Sequence, residues 1–126
     1  MLWGTKNFVS RFTTVTLNGN TQKVAMRFTA TVNDSVTFVY FVISAVNGSP
    51  GNIKVSIQEN SNGVPSGTDL TSVTVAPSAG YNSYDITNYK FTSGQCYHIV
   101  IQPVSGFDGS NYITILYADG ITTGGV

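Results

Sequence analysis

An all-β fold, two antiparallel sheets packed as a β-sandwich, is what this 126-residue sequence predicts. Three observations carry that expectation. Seven or eight runs between Phe8 and Tyr117 alternate apolar with polar residues, the period of a half-buried strand. Each run closes in Gly, Asn or Pro, the residues that turn a chain. No stretch repeats apolar residues at helical spacing.

The first run, residues 8–17, ends in the turn Asn18-Gly19-Asn20. The second, residues 23–32, places Val24, Met26, Phe28, Ala30 and Val32 on one face and Lys23, Ala25, Arg27, Thr29 and Thr31 on the other. Asn33-Asp34 turns the chain. Residues 35–46 differ, because Val36, Phe38, Tyr40 and Val42 fill one parity and Val39, Phe41, Ile43 and Ala45 the other. A strand apolar on both faces sits centrally, covered by the core on one side and by a partner or folded-over loops on the other. After Asn47-Gly48-Ser49-Pro50-Gly51, residues 52–59 alternate, with Ile53, Val55 and Ile57 inward. Residues 60–70, punctuated by Gly63, Pro65 and Gly67, read as an ordered loop before a short strand at 72–76. A strand follows near 84–89. Ser93-Gly94 then leads into residues 95–102, where Tyr97, Ile99 and Ile101 alternate with Cys96, His98 and Val100. The loop 103–110 precedes the last strand, 111–117. The chain is expected to be one domain, with residues 1–7 an N-terminal arm and 118–126 a Gly/Thr-rich tail.

About eight strands at this spacing predict two packed antiparallel sheets. Jelly-roll topology is the first expectation. An immunoglobulin-like sandwich is the second, since the paired cysteines and central Trp of antibody domains are missing.

Composition narrows the function. Charged residues make up 10% of the chain and balance to zero, against about a quarter in an average soluble domain. The six cations are scattered, whereas nucleic-acid binding needs a basic stripe. Hydroxyls and amides carry the polarity instead, which suits a virion surface or an extracellular setting. The N-terminal residues show neither the basic nor the apolar region of a signal peptide. The apolar run 36–46 is far shorter than the roughly 20 residues of a membrane span. Two readings follow: a protein released within a particle, or a module of a longer exported chain. Cys96 is the single cysteine, so no internal disulfide forms.

The segment Gly63-Val64-Pro65-Ser66-Gly67-Thr68-Asp69-Leu70, followed later by Gly94-Gln95-Cys96-Tyr97-His98-Ile99-Val100-Ile101, resembles jelly-roll β-sandwich modules of phage tail and capsid-surface proteins and of exported glycan-binding proteins. The likeness spans residues 24–117. It implies architecture, because its residues are turn and core residues. No ligand residue carries over from it.

Catalytic chemistry is sparse. Glu59 is the only Glu, and Asp34, Asp69, Asp108 and Asp119 lie beside turn residues, so the two facing carboxylates of a glycosidase are missing. Cys96 and His98 share a strand face, but no third group orients them as a nucleophile and base, and a small buried thiol beside a backbone-bonded imidazole is the favoured reading. One His and one Cys cannot complete a zinc site. Asp108-Gly109-Ser110-Asn111 offers oxygens for calcium through Asp108 and Asn111, or is an ordinary Asp/Gly turn. The chain is therefore expected to be non-catalytic and to need no cofactor.

Two groups point to binding. Tyr81, Tyr84 and Tyr89, with Asp85 and Asn88, offer aromatic platforms beside amide and carboxylate partners, the chemistry of a glycan groove. The plain alternative is tyrosines packed at a sheet edge. Trp3 and Phe8 in the N-terminal arm, with Tyr40 on the second face of the central strand, suit subunit contact, where Trp is a frequent anchor. The leading expectation is a virion surface component, a capsid decoration protein or tail appendage contacting its own copies or capsid and tail proteins. The alternative is a carbohydrate-binding or adhesive module of an exported protein. Neither nucleic acid nor membrane is an expected partner.

Overall fold

The computed structural model of the chain describes residues 4–7, 12–33, 35–118 and 122–124. Among them run ten strands: β1 Gly4–Asn7, β2 Phe12–Leu17, β3 Val24–Thr29, β4 Ser35–Asn47, β5 Ile53–Ser61, β6 Val64–Val75, β7 Gly80–Lys90, β8 Cys96–Pro103, β9 Tyr112–Ala118 and β10 Thr122–Gly124. One four-stranded sheet has the order β2-β9-β4-β7 and the other β3-β8-β5-β6. β1 and β10, from the segments read as arm and tail, pair antiparallel with each other.

The eight sandwich strands pair as one long hairpin. β2 lies on β9, β3 on β8, β4 on β7 and β5 on β6, all antiparallel. The hairpin is rolled so that β9 also pairs with β4, and β8 with β5. Rolling gives each sheet one apolar face, and the two faces close on each other. Leu17, Val39, Phe41, Ile43, Ile113 and Ile115 from the first sheet meet Val24, Phe28, Ile53, Val55, Ile57 and Ile101 from the second in one cluster. Where the sheets meet at an edge, the Thr71 hydroxyl on β6 donates to the Thr87 carbonyl on β7 at 2.6 Å. An edge strand otherwise presents unpaired backbone groups.

β4 explains its own two-sided apolarity. Its pairing slips between Val36 and Phe38 and again between Ile43 and Ala45. Each slip switches the parity that faces inward, as a bulge does. Val36 therefore points to the core, then Val39, Phe41 and Ile43, then Val46. Phe38 and Val42, both half-buried, are left on the outer face.

The expectation of a loop over residues 60–70 is corrected. β5 and β6 form a hairpin whose two-residue turn is Asn62-Gly63, with φ of 53° and 87°. Positive φ at both positions is the type I′ geometry that matches strand twist. The short strand at 72–76 is the end of the longer β6. The strand near 84–89 likewise extends over all of β7.

The loops gather at two ends. At one, Ala30 and Gln95 bond through their backbones, and the Ser93 amide donates to Asn33 Oδ1 at 2.8 Å. The β5–β6 turn lies toward this end, since Glu59 is in register with Tyr97. At the other, the β4–β5 loop is pressed onto the β8–β9 loop. A Cβ on Gly51 would collide with the Ser105 carbonyl.

Candidate functional site

The structure separates the tyrosine segment. Strand alternation sends Tyr84 and Ile86 into the core, and Tyr84 stacks on Phe41 with ring centroids 4.9 Å apart. Burial raises the pKa of the Tyr84 hydroxyl above the ordinary phenol value, and the Ser78 backbone opposes that rise. Tyr81 and Asp85 point to the opposite, solvent side, and Asn88 is exposed. The pairing slip opposite Val36 returns Tyr89 to the core side. The five residues form no common groove. Trp3 and Phe8 lie outside the described residues, as do Asp34 and Asp119, and the side chain of Tyr40 is likewise undescribed.

The calcium candidate closes on itself. Asp108 Oδ1 accepts from the Ser110 amide at 2.8 Å, the Asn111 amide at 2.9 Å and Asn111 Nδ2 at 3.0 Å. Asn111 Oδ1 accepts from the Ser49 amide at 2.8 Å. These amide donors aim at the oxygens that a cation would need, so the arrangement is an Asx turn. The same bonds, from Ser110 first and then Asn111, hold the Asp108 carboxyl below its ordinary pKa. Among the described residues no three His, Cys, Asp or Glu side chains converge as a metal cluster.

Cys96 and His98 share a face, as their spacing requires, but each is bonded elsewhere. Arg27 Nε donates to Cys96 Sγ at 3.1 Å, and the Thr29 hydroxyl lies 3.6 Å from the sulfur. Burial raises the thiol pKa, yet the Arg27 and Thr29 bonds and the guanidinium charge outweigh it, so the net shift is downward. His98 is 3% exposed, with Nε2 3.0 Å from Asn60 Oδ1. A carbonyl oxygen only accepts, so the Nε2-protonated tautomer donates. Burial, and then the Arg27 charge, lower the His98 pKa.

These contacts belong to a polar layer on the outer face of the β3-β8-β5-β6 sheet. Beside His98, Gln58 is buried; its Oε1 accepts from the Gly67 amide and its Nε2 donates to Asp69 Oδ1, both at 2.9 Å. Lys54 Nζ closes the row on Asp69 Oδ2 at 2.7 Å. Burial opposes ionisation of Asp69, but the Lys54, Gln58 and Ser56 contacts prevail and its pKa falls.

Where this layer reaches the end of the sandwich, a hollow of about 310 Å³ opens. β5 supplies Glu59 and Asn60, and β7 supplies Tyr89. The β7–β8 loop adds Thr92 and Gln95, and the start of β8 adds Cys96 and Tyr97. Its floor is aromatic. Tyr97 packs 4.7 Å from Phe91 and 5.9 Å from Phe28, and Tyr89 meets Phe91 and Tyr97 edge-on at 5.9 and 6.1 Å. The Tyr97 hydroxyl accepts from the Thr92 amide at 2.9 Å, which ties the loop to the floor. Burial, then the neighbouring Tyr97 and Glu59, push the Tyr89 phenol above its ordinary pKa. Of the residues expected to bind, Tyr89 alone lines this hollow. Glu59, Asn60, Thr92 and Gln95 were not foreseen as partners, because they meet only through the β5–β8 register. The chain matches no protein-family model, no curated protein and no solved structure.

Proposed function

We propose that this protein is a non-catalytic structural and binding component of a virion surface, a capsid decoration protein or tail appendage, working through contacts with other subunits. The supporting observation is the outer face of the β2-β9-β4-β7 sheet. Val42 lies in register with Leu116 on one side and Tyr81 on the other, with Phe38 further along β4. Val42, Leu116 and Phe38 are half-buried, and Tyr81 is 67% exposed. Thr14, Thr16 and Ser83 border them, and Asp85 stands opposite Phe38. A flat face with an apolar centre and a hydroxyl border is the composition of a protein–protein contact, whose core is depleted in charge. We read the rolled hairpin as the wrapping of a jelly roll, an architecture used by capsid proteins, which adds support at the level of analogy. The alternative, a carbohydrate-binding module of an exported chain, loses the common groove expected of the tyrosine segment, because Tyr84 is in the core.

Light scattering across a concentration series tests the reading. The full chain is expected to form a defined oligomer or to occupy particles. Val42→Glu, a change on the outer face, should abolish that association and leave the far-ultraviolet spectrum unchanged. A chain that stays monomeric, with a Val42→Glu variant that occupies particles as fully as the parent, would refute it.

A further inference from the structure

We propose that the hollow bounded by Glu59, Asn60, Tyr89, Thr92 and Gln95 binds one neutral, polyhydroxylated six-membered ring, a single sugar unit. This neither needs nor follows from the assembly role, which rests on a different face of the molecule.

Size sets the first limit. About 310 Å³ is at the lower bound of small-molecule sites, room for one ring rather than a chain of them. Chemistry sets the second. A sugar ring carries hydroxyls around its rim and C–H groups on its face. The rim needs groups that accept as well as donate. The Glu59 carboxylate accepts, the Asn60 and Gln95 amides can do both, and the Thr92 hydroxyl does both. The sugar's C–H face would lie against Tyr89, which lines the hollow, half-buried and packed edge-on with Phe91 and Tyr97.

Charge sets the third. Glu59 at the mouth repels phosphates and carboxylates. Behind the hollow, Arg27 bonds the Cys96 sulfur that lines it, and this fixed guanidinium disfavours an ammonium ligand. With one sign in front and the other behind, a neutral ligand is favoured. The site is also prepared. His98 donates to Asn60 Oδ1 and so orients that amide, while the Thr92 amide is pinned to the Tyr97 hydroxyl. Groups fixed before binding lose less freedom on contact.

The test is a two-dimensional amide NMR titration of the full chain with glucose, galactose, mannose and N-acetylglucosamine, each alone. At least one sugar should give saturable shifts centred on Asn60, Thr92, Gln95 and Tyr97, with a dissociation constant on the order of millimolar. Glu59→Gln, an exposed change that leaves the core untouched, should weaken binding about tenfold, the loss of one good polar contact. Tyr89→Ala should abolish it. If Tyr89→Ala unfolds the chain, Glu59→Gln still decides. No saturable shift with any sugar up to about a hundredfold above that range overturns the proposal. So do shifts centred elsewhere, binding untouched by Glu59→Gln, or tighter binding of tetramethylammonium or phosphate at the same amides.

Discussion

His98 shows how a single side chain can serve structure and report on it. Its imidazole is buried beside Arg27, so its pKa in the fold lies below the ordinary histidine value. The unfolded chain takes up a proton as pH falls through about 6.5, and the fold resists that proton until lower pH. The unfolded state then binds more protons, so stability is full above about 6.5 and is lost as pH falls below it. Asp69 and Asp108, both with lowered pKa values, begin to lose their contributions only near pH 4. The melting temperature should therefore fall between about pH 7.5 and 5.5, and His98→Gln should flatten that slope. A slope of the same size in His98→Gln would show that another group titrates there. This residue was legible in part. Strand parity put it on the face of Cys96, but the bond to Asn60 depends on a pairing between β5 and β8 that no local period reveals.

At the scale of elements, the β5–β6 hairpin is both the tip of the rolled structure and the main misreading of the sequence. Asn62-Gly63 is a strong short hairpin signal, yet the residues before it are polar and Pro65 and Gly67 just beyond it read as loop punctuation. They are tolerated because β6 is the edge strand of its sheet, where a missing N–H costs no ladder bond. Gly67 is used besides, its amide bonding Gln58. The bulges of β4 were equally hidden, since they reverse parity without a punctuating residue. The turn makes a direct prediction. Gly63 has φ of 87°, and an added Cβ would meet only the tip of Arg27 at 3.8 Å. Gly63→Ala should therefore cost about 1–2 kcal/mol from backbone strain alone, seen as a lower urea midpoint at unchanged slope. An unaltered midpoint would mean that the turn does not hold this geometry in solution.

For the molecule as a whole, one rolled hairpin sets an order of closure. The β5–β6 pair closes over a two-residue turn, whereas β2 and β9 come from opposite ends of the described sandwich. Loop-closure entropy rises along that series, and pairings this distant in sequence belong to slow-folding topologies. This also explains why two-layer architecture was readable from the period while the partnership of Glu59 with Gln95 was not. The period reports which face is buried, and the roll decides which ends meet. Folding is then expected to proceed outward from the hairpin tip. Ile57 lies near the tip, across from Ile99 on β8 and Thr71 on β6, and Ile115 sits in β9 between Ile43 and Val15. Both are fully buried. Ile57→Val and Ile115→Val should each cost about 0.5–1.5 kcal/mol. They should divide that cost differently between the rates. Ile57→Val should mainly slow folding, because its contacts form before the barrier, and Ile115→Val should mainly speed unfolding. Stopped-flow chevrons followed by tyrosine fluorescence measure both limbs. Equal partition in the two variants, or the reverse assignment, would place the nucleus at the β2–β9 seam and require the roll to close before its tip is formed.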